Sequence, residues 1–251
     1  MKKLNYVNVK DKLVNDLRSF LGDKKAVIGI SGGIDSAVVA SLCVRAVGAD
    51  RVIGVQMPYG DQSTEDGSTL IKNLGIKDNI VNIKHIVQSF PQMPPSIINN
   101  LTNGNIRARV RMTLLYAYAG TNNGFVIGTS NKTETLLGYF TKYGDGGCDV
   151  EPIGDLYKTD IFGLARNLKD IPDKIITKSP SAELWEGQTD EGEIGMTYAE
   201  MDGILKGMDT QKLFYDRVRF IALYGENKVV AIEDRVRSSE HKRKIPPIFS
   251  I

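Results

Sequence analysis

The chain has 251 residues, 41% of them hydrophobic and 25% charged, which suits a large α/β domain, alone or with a small appendage. Its 32 Lys and Arg against 30 Asp and Glu leave a formal net charge of +2, too little to point to nucleic acid. No apolar run approaches the roughly 18–20 residues that cross a bilayer, and charges interrupt the N-terminal MKKLNYVNVKDKL before a secretory core can form.

Leu4, Val7, Leu13, Leu17 and Leu21 recur among charges and predict an amphipathic helix over 4–21. Ala26–Ile30 is a short, nearly continuous apolar run, as expected of a strand buried on both faces. A glycine loop and an apolar helix over Ala37–Val47 follow. Arg51–Met57 reads as the second strand, closed by Pro58-Tyr59-Gly60. Thr64–Leu74 is expected to be a helix with an acidic start, and Asn79–Ile83 a third strand. Pro91, Pro94 and Pro95 break the chain before a helix at about Asn105–Ala119. Gly124–Gly128 reads as a fourth buried strand and Lys132–Phe140 as a helix.

This alternation predicts a doubly wound, mostly parallel sheet with helices on both faces. Beyond Tyr143 the pattern changes to a glycine-rich loop, a helix at Lys158–Leu168, a polar stretch over Ser179–Gly195 and two late helices. With no tandem repeat and no linker, the expectation is one domain over residues 1–251 with a short C-terminal helical extension. Cys43 lies in an apolar helical pattern and Cys148 in a glycine-rich loop, without metal-ligand spacing; a reducing, cytoplasmic setting is expected.

Strand, Ser31-Gly32-Gly33-Ile34-Asp35-Ser36 and helix, in that order, surround one concavity with backbone N–H groups and a helix N-terminus, a geometry that binds phosphate oxygens. Gly32 and Gly33 permit close backbone approach. Ser31 and Ser36 add hydroxyls, and Asp35 adds an anionic oxygen suited to Mg²⁺. The plainer alternative is a strand-to-helix turn with Ser36 as a cap. The string lacks the Lys-Ser/Thr of a Walker A loop and does not match G-x-G-x-x-G. It resembles the SGGxDS loop of the ATP pyrophosphatases, which cradles the pyrophosphate of ATP. The resemblance implies an adenine nucleotide alpha hydrolase-like fold, cleavage between the α- and β-phosphates, and AMP transfer to an oxygen. It also implies ATP contacts at Gly29 and Ile30, continuing through Ser36.

Downstream, Gly128-Thr129-Ser130-Asn131-Lys132-Thr133-Glu134 is followed by GYFTKYGDGGCDVEPIGDLYKTD from Gly138 to Asp160. This run resembles the ammonia-dependent NAD synthetases. The likeness continues in Met57–Asp66, Asn105–Met112, Ser179–Trp185, Gln188–Gly195 and Glu240–Pro247, so it covers nearly the whole chain in order. It implies amidation of nicotinic acid adenine dinucleotide (deamido-NAD) by ammonia, through an acyl-adenylate, with release of pyrophosphate and AMP. Charge then builds on phosphates, so a metal and cationic donors should dominate catalysis.

Asp35 and Glu134 are the two candidate Mg²⁺ ligands, each just after a predicted strand, at the edge where open α/β sheets bind ligands. Either alone could be a helix-start acid. The resemblance assigns ATP contacts to Lys158, Thr129 and Ser181, although Ser-Pro-Ser at 179–181 is also turn chemistry. For deamido-NAD it points to Arg109, Lys142, Asp149, His241 and Lys242. Arg107, Arg109 and Arg111 alternate by two and cannot share one helix face, and Arg109 is the expected ligand. Asp145 is a further contact or a turn stabiliser, and Asp190 a weaker substrate candidate. Trp185 and Glu186–Glu193 could form a lid that keeps water from the adenylate.

Gln56 departs from a basic residue carried by some relatives, which puts that contact in doubt. No nucleophilic-cysteine signature accompanies either cysteine, so the chain is expected to take free ammonia, or ammonia from a separate protein, and not to hydrolyse glutamine itself. A homodimer is implied by the resemblance, with no nucleic-acid or membrane partner. The competing readings are another ATP pyrophosphatase, such as an amidotransferase synthetase subunit or a tRNA-modifying ligase, and a nonenzymatic adenine-nucleotide sensor. Weak basic character disfavours the tRNA enzyme, and Asp35, Glu134 and Lys158 together disfavour the sensor.

Overall fold

The computed structural model describes residues 4–90, 99–181, 189–209 and 217–250. Asn5 caps the first helix, α1 (Tyr6–Leu21), by accepting the N–H groups of Val7 and Asn8. Strand β1 (Lys25–Gly29) leads through the glycine loop into α2 (Ile34–Val47) and then β2 (Val52–Gln56). Helix α3 (Glu65–Leu74) and strand β3 (Lys77–Ile80) follow, then the short α4 (Lys84–Gln88) and the long α5 (Asn100–Thr121). Strand β4 (Gly124–Val126) precedes α6 (Lys132–Leu137), and the described chain finishes in helices α7 (Lys158–Ala165), α8 (Asp173–Thr177), α9 (Asp190–Ile194), α10 (Tyr198–Asp209), α11 (Arg217–Tyr224) and α12 (Glu226–Ser238).

The four strands form one parallel sheet in the order β3-β2-β1-β4. Ala26 of β1 lies opposite Val52 on one side and Phe125 on the other. As expected, β1 is buried on both faces: Ala26 and Ile28 pack with α1, α2, α3, α7 and α8, whereas Val27 packs with α4 and α5. Burial on both faces is why its sequence lacks polar alternation. A third apolar cluster joins Leu137 of α6 to Met201, Ile204 and Leu205 of α10 and Val229 and Ile232 of α12. The chain winds outward from β1 through β2 to β3, then returns by α4 and α5 to place β4 beside β1. The strand order therefore reverses between β1 and β4, and ligands of open α/β sheets bind at such a reversal.

Several elements differ from expectation in extent. The predicted helix over 132–140 stops at Leu137, because Gly138 turns left-handed at φ +64° and a Cβ there would lie 2.1 Å from Ser239 Cβ. The third strand begins earlier, at Lys77, and the ladder beyond Ile80 survives only as single bonds from Val81 N–H to Gln56 O and Ile83 N–H to Pro58 O, each 2.9 Å. Helix α7 ends at Ala165, α5 begins five residues before its predicted start, and α4 was not foreseen. The helical extension is also larger than foreseen, with α10, α11 and α12 after the short α8 and α9. Among the described residues no helix is long and apolar enough to cross a membrane.

Candidate active site

Residues 30–33 leave the carboxyl end of β1 and feed the N-terminus of α2, whose N-cap residue, Gly33, makes no side-chain cap bond. The Ser36 hydroxyl works inside the loop: it accepts Ser31 N–H at 3.3 Å and donates to Gly33 O at 3.0 Å. Ser31 Oγ lies 3.0 Å from Ser36 Oγ and accepts Gly33 N–H at 3.1 Å. The loop is thus fixed by its own bonds while the first turn of α2 keeps amide donors for an anion. Gly32 has φ +79°, and a Cβ there would lie 3.2 Å from Asp66 Cβ. Asp66, at the start of α3, pairs with Lys174 at 2.8 Å and Lys178 at 3.3 Å, which sets two cations beside the loop. The hydrogen bond from Lys174 holds the Asp66 carboxyl below its usual range.

The second half of the site comes from the carboxyl end of β4. Thr129 is half-buried there, and Ser130 N–H donates to Glu151 Oε2 at 3.0 Å. Helix α6 then opens with a capping box: Asn131 Oδ1 accepts Glu134 N–H at 3.0 Å, and Glu134 Oε2 accepts Asn131 N–H at 3.2 Å. Asn131 Nδ2 also reaches across to Asp35 Oδ1 at 3.0 Å. Lys158, the first residue of α7, donates to Asp35 Oδ2 at 2.5 Å and to Glu134 Oε1 at 3.1 Å. Asp35, Glu134 and Lys158 therefore meet as expected, each from the first turn of a different helix.

Lys158 is 2% exposed, with its ammonium 5.1 Å from the Tyr198 ring centroid. Burial pulls its basicity down, but Asp35 and Glu134 outweigh that pull and hold the ammonium protonated, above the usual lysine range. Burial pushes the Glu134 carboxyl up, Lys158 draws it back, and the neighbouring Asp35 charge raises it again. Two carboxylates against one ammonium leave capacity for further positive charge. Their oxygens converge on a single cation, and hard oxygen donors of this kind suit Mg²⁺. Among the described residues no group of three or more His, Cys, Asp or Glu could hold a metal. Asp35 and Glu134 are the carboxylates here that could hold such an ion.

The other expected substrate residues fall in three places. Arg109 Nη2 donates to Lys142 O at 3.3 Å, and Lys142 Nζ donates to His241 O at 2.7 Å. Lys242 Nζ bonds Gly138 O and Phe140 O, both at 2.7 Å, and Asp145 Oδ1 accepts Thr141 N–H at 2.8 Å. These five residues share one surface where α5, the 138–147 loop and the 240–242 turn meet. Asp149 stands apart from it, accepting Val126 N–H at 2.7 Å and the Tyr116 hydroxyl at 3.3 Å. Asp190 is buried and accepts the Tyr198 hydroxyl at 2.7 Å, which puts it in the wall behind Lys158. Ser181 is partly buried next to Pro180, whose carbonyl accepts Asp190 N–H at 3.2 Å. Trp185 and the first part of the expected lid lie outside the described residues; Asp190–Ile194 is a short helix.

Several structural partners escaped the sequence reading. Arg107 stacks 3.6 Å over Tyr59, and Arg111 donates to Met57 O at 3.0 Å, so these two hold the segment after β2 while Arg109 faces elsewhere. Gln56 is buried, with Nε2 bonded to Ser68 Oγ at 2.8 Å and Asp78 Oδ1 at 2.9 Å. Its amide thus ties β2 to α3 and β3. The Glu151 carboxylate also accepts the Cys148 thiol at 3.2 Å and lies where a Cβ on Gly128 would clash, 2.5 Å away or less. Asp202 accepts the Thr133 hydroxyl at 2.5 Å and Thr159 N–H at 2.8 Å.

A family model described as NAD synthase matches residues 6–246. The NH(3)-dependent NAD(+) synthetase of Thermococcus sibiricus is 44% identical over 98% of both chains. Among solved structures, the NMN synthetase of Francisella tularensis is similar at a TM-score of 0.86 and 36% identity, covering 99% of this chain and 100% of that one. The NH3-dependent NAD synthetase of Campylobacter jejuni gives 0.83 and 30%, with the same coverage. Both the sequence match and the backbone match run nearly end to end through the loop and the carboxylate–lysine cluster, and the chain belongs to the NAD synthase family.

Proposed function

We propose that this chain makes NAD from deamido-NAD, ATP and ammonia, the final step of NAD biosynthesis, with Mg²⁺. The observation that carries the proposal is the meeting of Asp35, Glu134 and Lys158 beside an uncapped helix N-terminus. The free amides of α2 would take the β- and γ-phosphates, with Ser31 and Ser36 holding the loop in shape. Asp35 and Glu134 would hold Mg²⁺, which supplies charge neutralisation at the phosphates. Lys158, kept protonated by its two carboxylates, would donate to phosphate oxygens as pyrophosphate leaves. The substrate carboxylate attacks the α-phosphorus, and the α–β bridge breaks. Ammonia then attacks the acyl carbon, AMP leaves, and the added nitrogen gives up a proton.

Arg109, Lys142, Asp145, His241 and Lys242 form the surface proposed for the dinucleotide, supported by their clustering on one side of the site. Thr129 and Ser181 would contact ATP, and Asp149 and Asp190 would complete the acceptor site. A single domain over 1–251, a homodimer and a cytoplasmic setting complete the reading; two free thiols fit a reducing compartment. Likeness to the Francisella NMN synthetase favours a second reading, in which the product is NMN. An assay with ATP, Mg²⁺ and saturating ammonium decides: NAD, AMP and pyrophosphate should form together from deamido-NAD. Folded protein that makes no NAD refutes the proposal, and faster amidation of nicotinic acid mononucleotide would favour the second product. Glutamine should not replace ammonium.

A further inference from the structure

Asp202 lies on α10, outside the loop and the sheet edge, and is 2% exposed. Its two oxygens bond different helices. Oδ1 accepts the hydroxyl of Thr133, the second residue of α6, at 2.5 Å. Oδ2 accepts the N–H of Thr159, the second residue of α7, at 2.8 Å. Thr133 Oγ1 in turn accepts Lys158 N–H at 2.9 Å, closing a chain of bonds from α10 through α6 to α7. The N-cap residue of α7, Tyr157, makes no side-chain cap bond, so Thr133 and Asp202 supply acceptors to the first turn of α7 from other elements.

We propose that Asp202 is a positioning residue that sets the separation of Glu134 and Lys158 by binding the N-termini of α6 and α7 together. Thr133 precedes Glu134 directly and Thr159 follows Lys158 directly, so the anchored atoms lie one residue from each side chain. Its acceptance of Thr159 N–H also sets the carboxyl group at the positive end of the α7 dipole. Tyr198 lies one turn earlier on α10 and approaches the Lys158 ammonium on the same side, and neighbours Met201, Ile204 and Leu205 root the helix in its own apolar cluster. A rigid support matters here because a misplacement of about 1 Å in a reacting constellation costs roughly 100-fold in rate.

The inference rests on Glu134 and Lys158 acting in adenylation, so the test carries its own control. Pyrophosphate release would be measured for wild type, Lys158→Met, Asp202→Asn, Asp202→Ala, Thr133→Val and the Asp202→Asn/Thr133→Val pair, with near-UV circular dichroism to establish folding. Asp202→Ala should lower kcat about 100-fold while KM for ATP moves less than about threefold. Asp202→Asn should recover most of that loss, because an amide can accept Thr159 N–H and donate to Thr133. The pair should be no worse than the poorer single variant, since both act through one bond chain. If Asp202→Ala does not fold, Asp202→Asn, Thr133→Val and their pair decide. Multiplicative losses in the pair, or an Asn variant no better than Ala, would overturn the positioning role. Near-wild-type rates in Lys158→Met would instead remove the catalytic reading beneath it.

Discussion

The Ser31–Ser36 loop and the carboxylate–lysine cluster meet at one sheet edge, yet they are held in opposite ways. The bonds that fold the loop on itself join Ser31, Gly33 and Ser36, residues no more than five positions apart. The cluster is closed by contacts that cross the chain: Lys158 to Asp35 spans 123 positions, Thr133 to Asp202 spans 69, and Lys158 to Glu134 spans 24. A local unit loses little chain entropy when it forms, whereas the cluster exists only once α2, α6, α7 and α10 have packed. Damage to the loop should therefore fall mainly on nucleotide affinity. Damage to the cluster should fall on the chemical step and on global stability together.

Lys158→Met is the largest test of that contrast. It should lower kcat for pyrophosphate release by at least about 1,000-fold, equivalent to about 4 kcal/mol of transition-state stabilisation. It should also destabilise the fold by about 1–3 kcal/mol, because two partly buried carboxylates lose their counter-ion. Denaturant unfolding beside rate measurement checks both, and loss of activity with unchanged stability would break the comparison. Gly32→Ala comes next. Its backbone sits at φ +79° against Asp66, so strain of about 1–2 kcal/mol is expected, released by distortion of the loop. KM for ATP should rise about 10-fold with a smaller change in kcat, because the amide cradle moves while the cluster stays. A pure kcat effect would contradict the division.

Glu151 sharpens the contrast through pH. Burial pushes its carboxyl up to about 7, against bonds from Cys148 and Ser130 that favour the ionised form. The folded chain therefore keeps this proton to higher pH than the unfolded chain, whose carboxyl titrates near the ordinary 4.5. The stabilisation is full below that ordinary value and is lost as pH rises through the folded value. Wild type should thus lose up to about 3 kcal/mol relative to Glu151→Gln between pH 4.5 and 8. Parallel stability curves for the two proteins would refute it. The smallest effect is expected far from both regions: Asn5→Ala removes the cap of α1 and should cost about 1 kcal/mol, with rates unchanged.

Legibility in the sequence followed the same division. The loop, its strand and its helix could be read directly because glycine geometry, serine hydroxyls and an apolar run lie within a dozen residues. Glu134 was legible through family resemblance and as a helix-start acid, whereas its capping box with Asn131 emerged only in the fold. Lys142 and Lys242 were legible as cations, but nothing local said that their ammonium groups bond backbone carbonyls in the 138–140 and 241 segments. Gln56 looked like a doubtful ligand position, and its amide proved to be a buried link to Ser68 and Asp78. Asp202 carried no signal at all: an aspartate within a helix reads as a solvated charge until its neighbours are known.

The sequence by itself determined the glycine loop between strand and helix, the alternating parallel architecture and the family, because each rests on short-range spacing or on motifs kept in order. The tertiary structure decided how Asp35, Glu134 and Lys158 share charge, and which buried carboxylate bridges α6 and α7. Those properties depend on desolvation and on contacts between residues far apart in the chain, and no local pattern encodes the distance between helix ends.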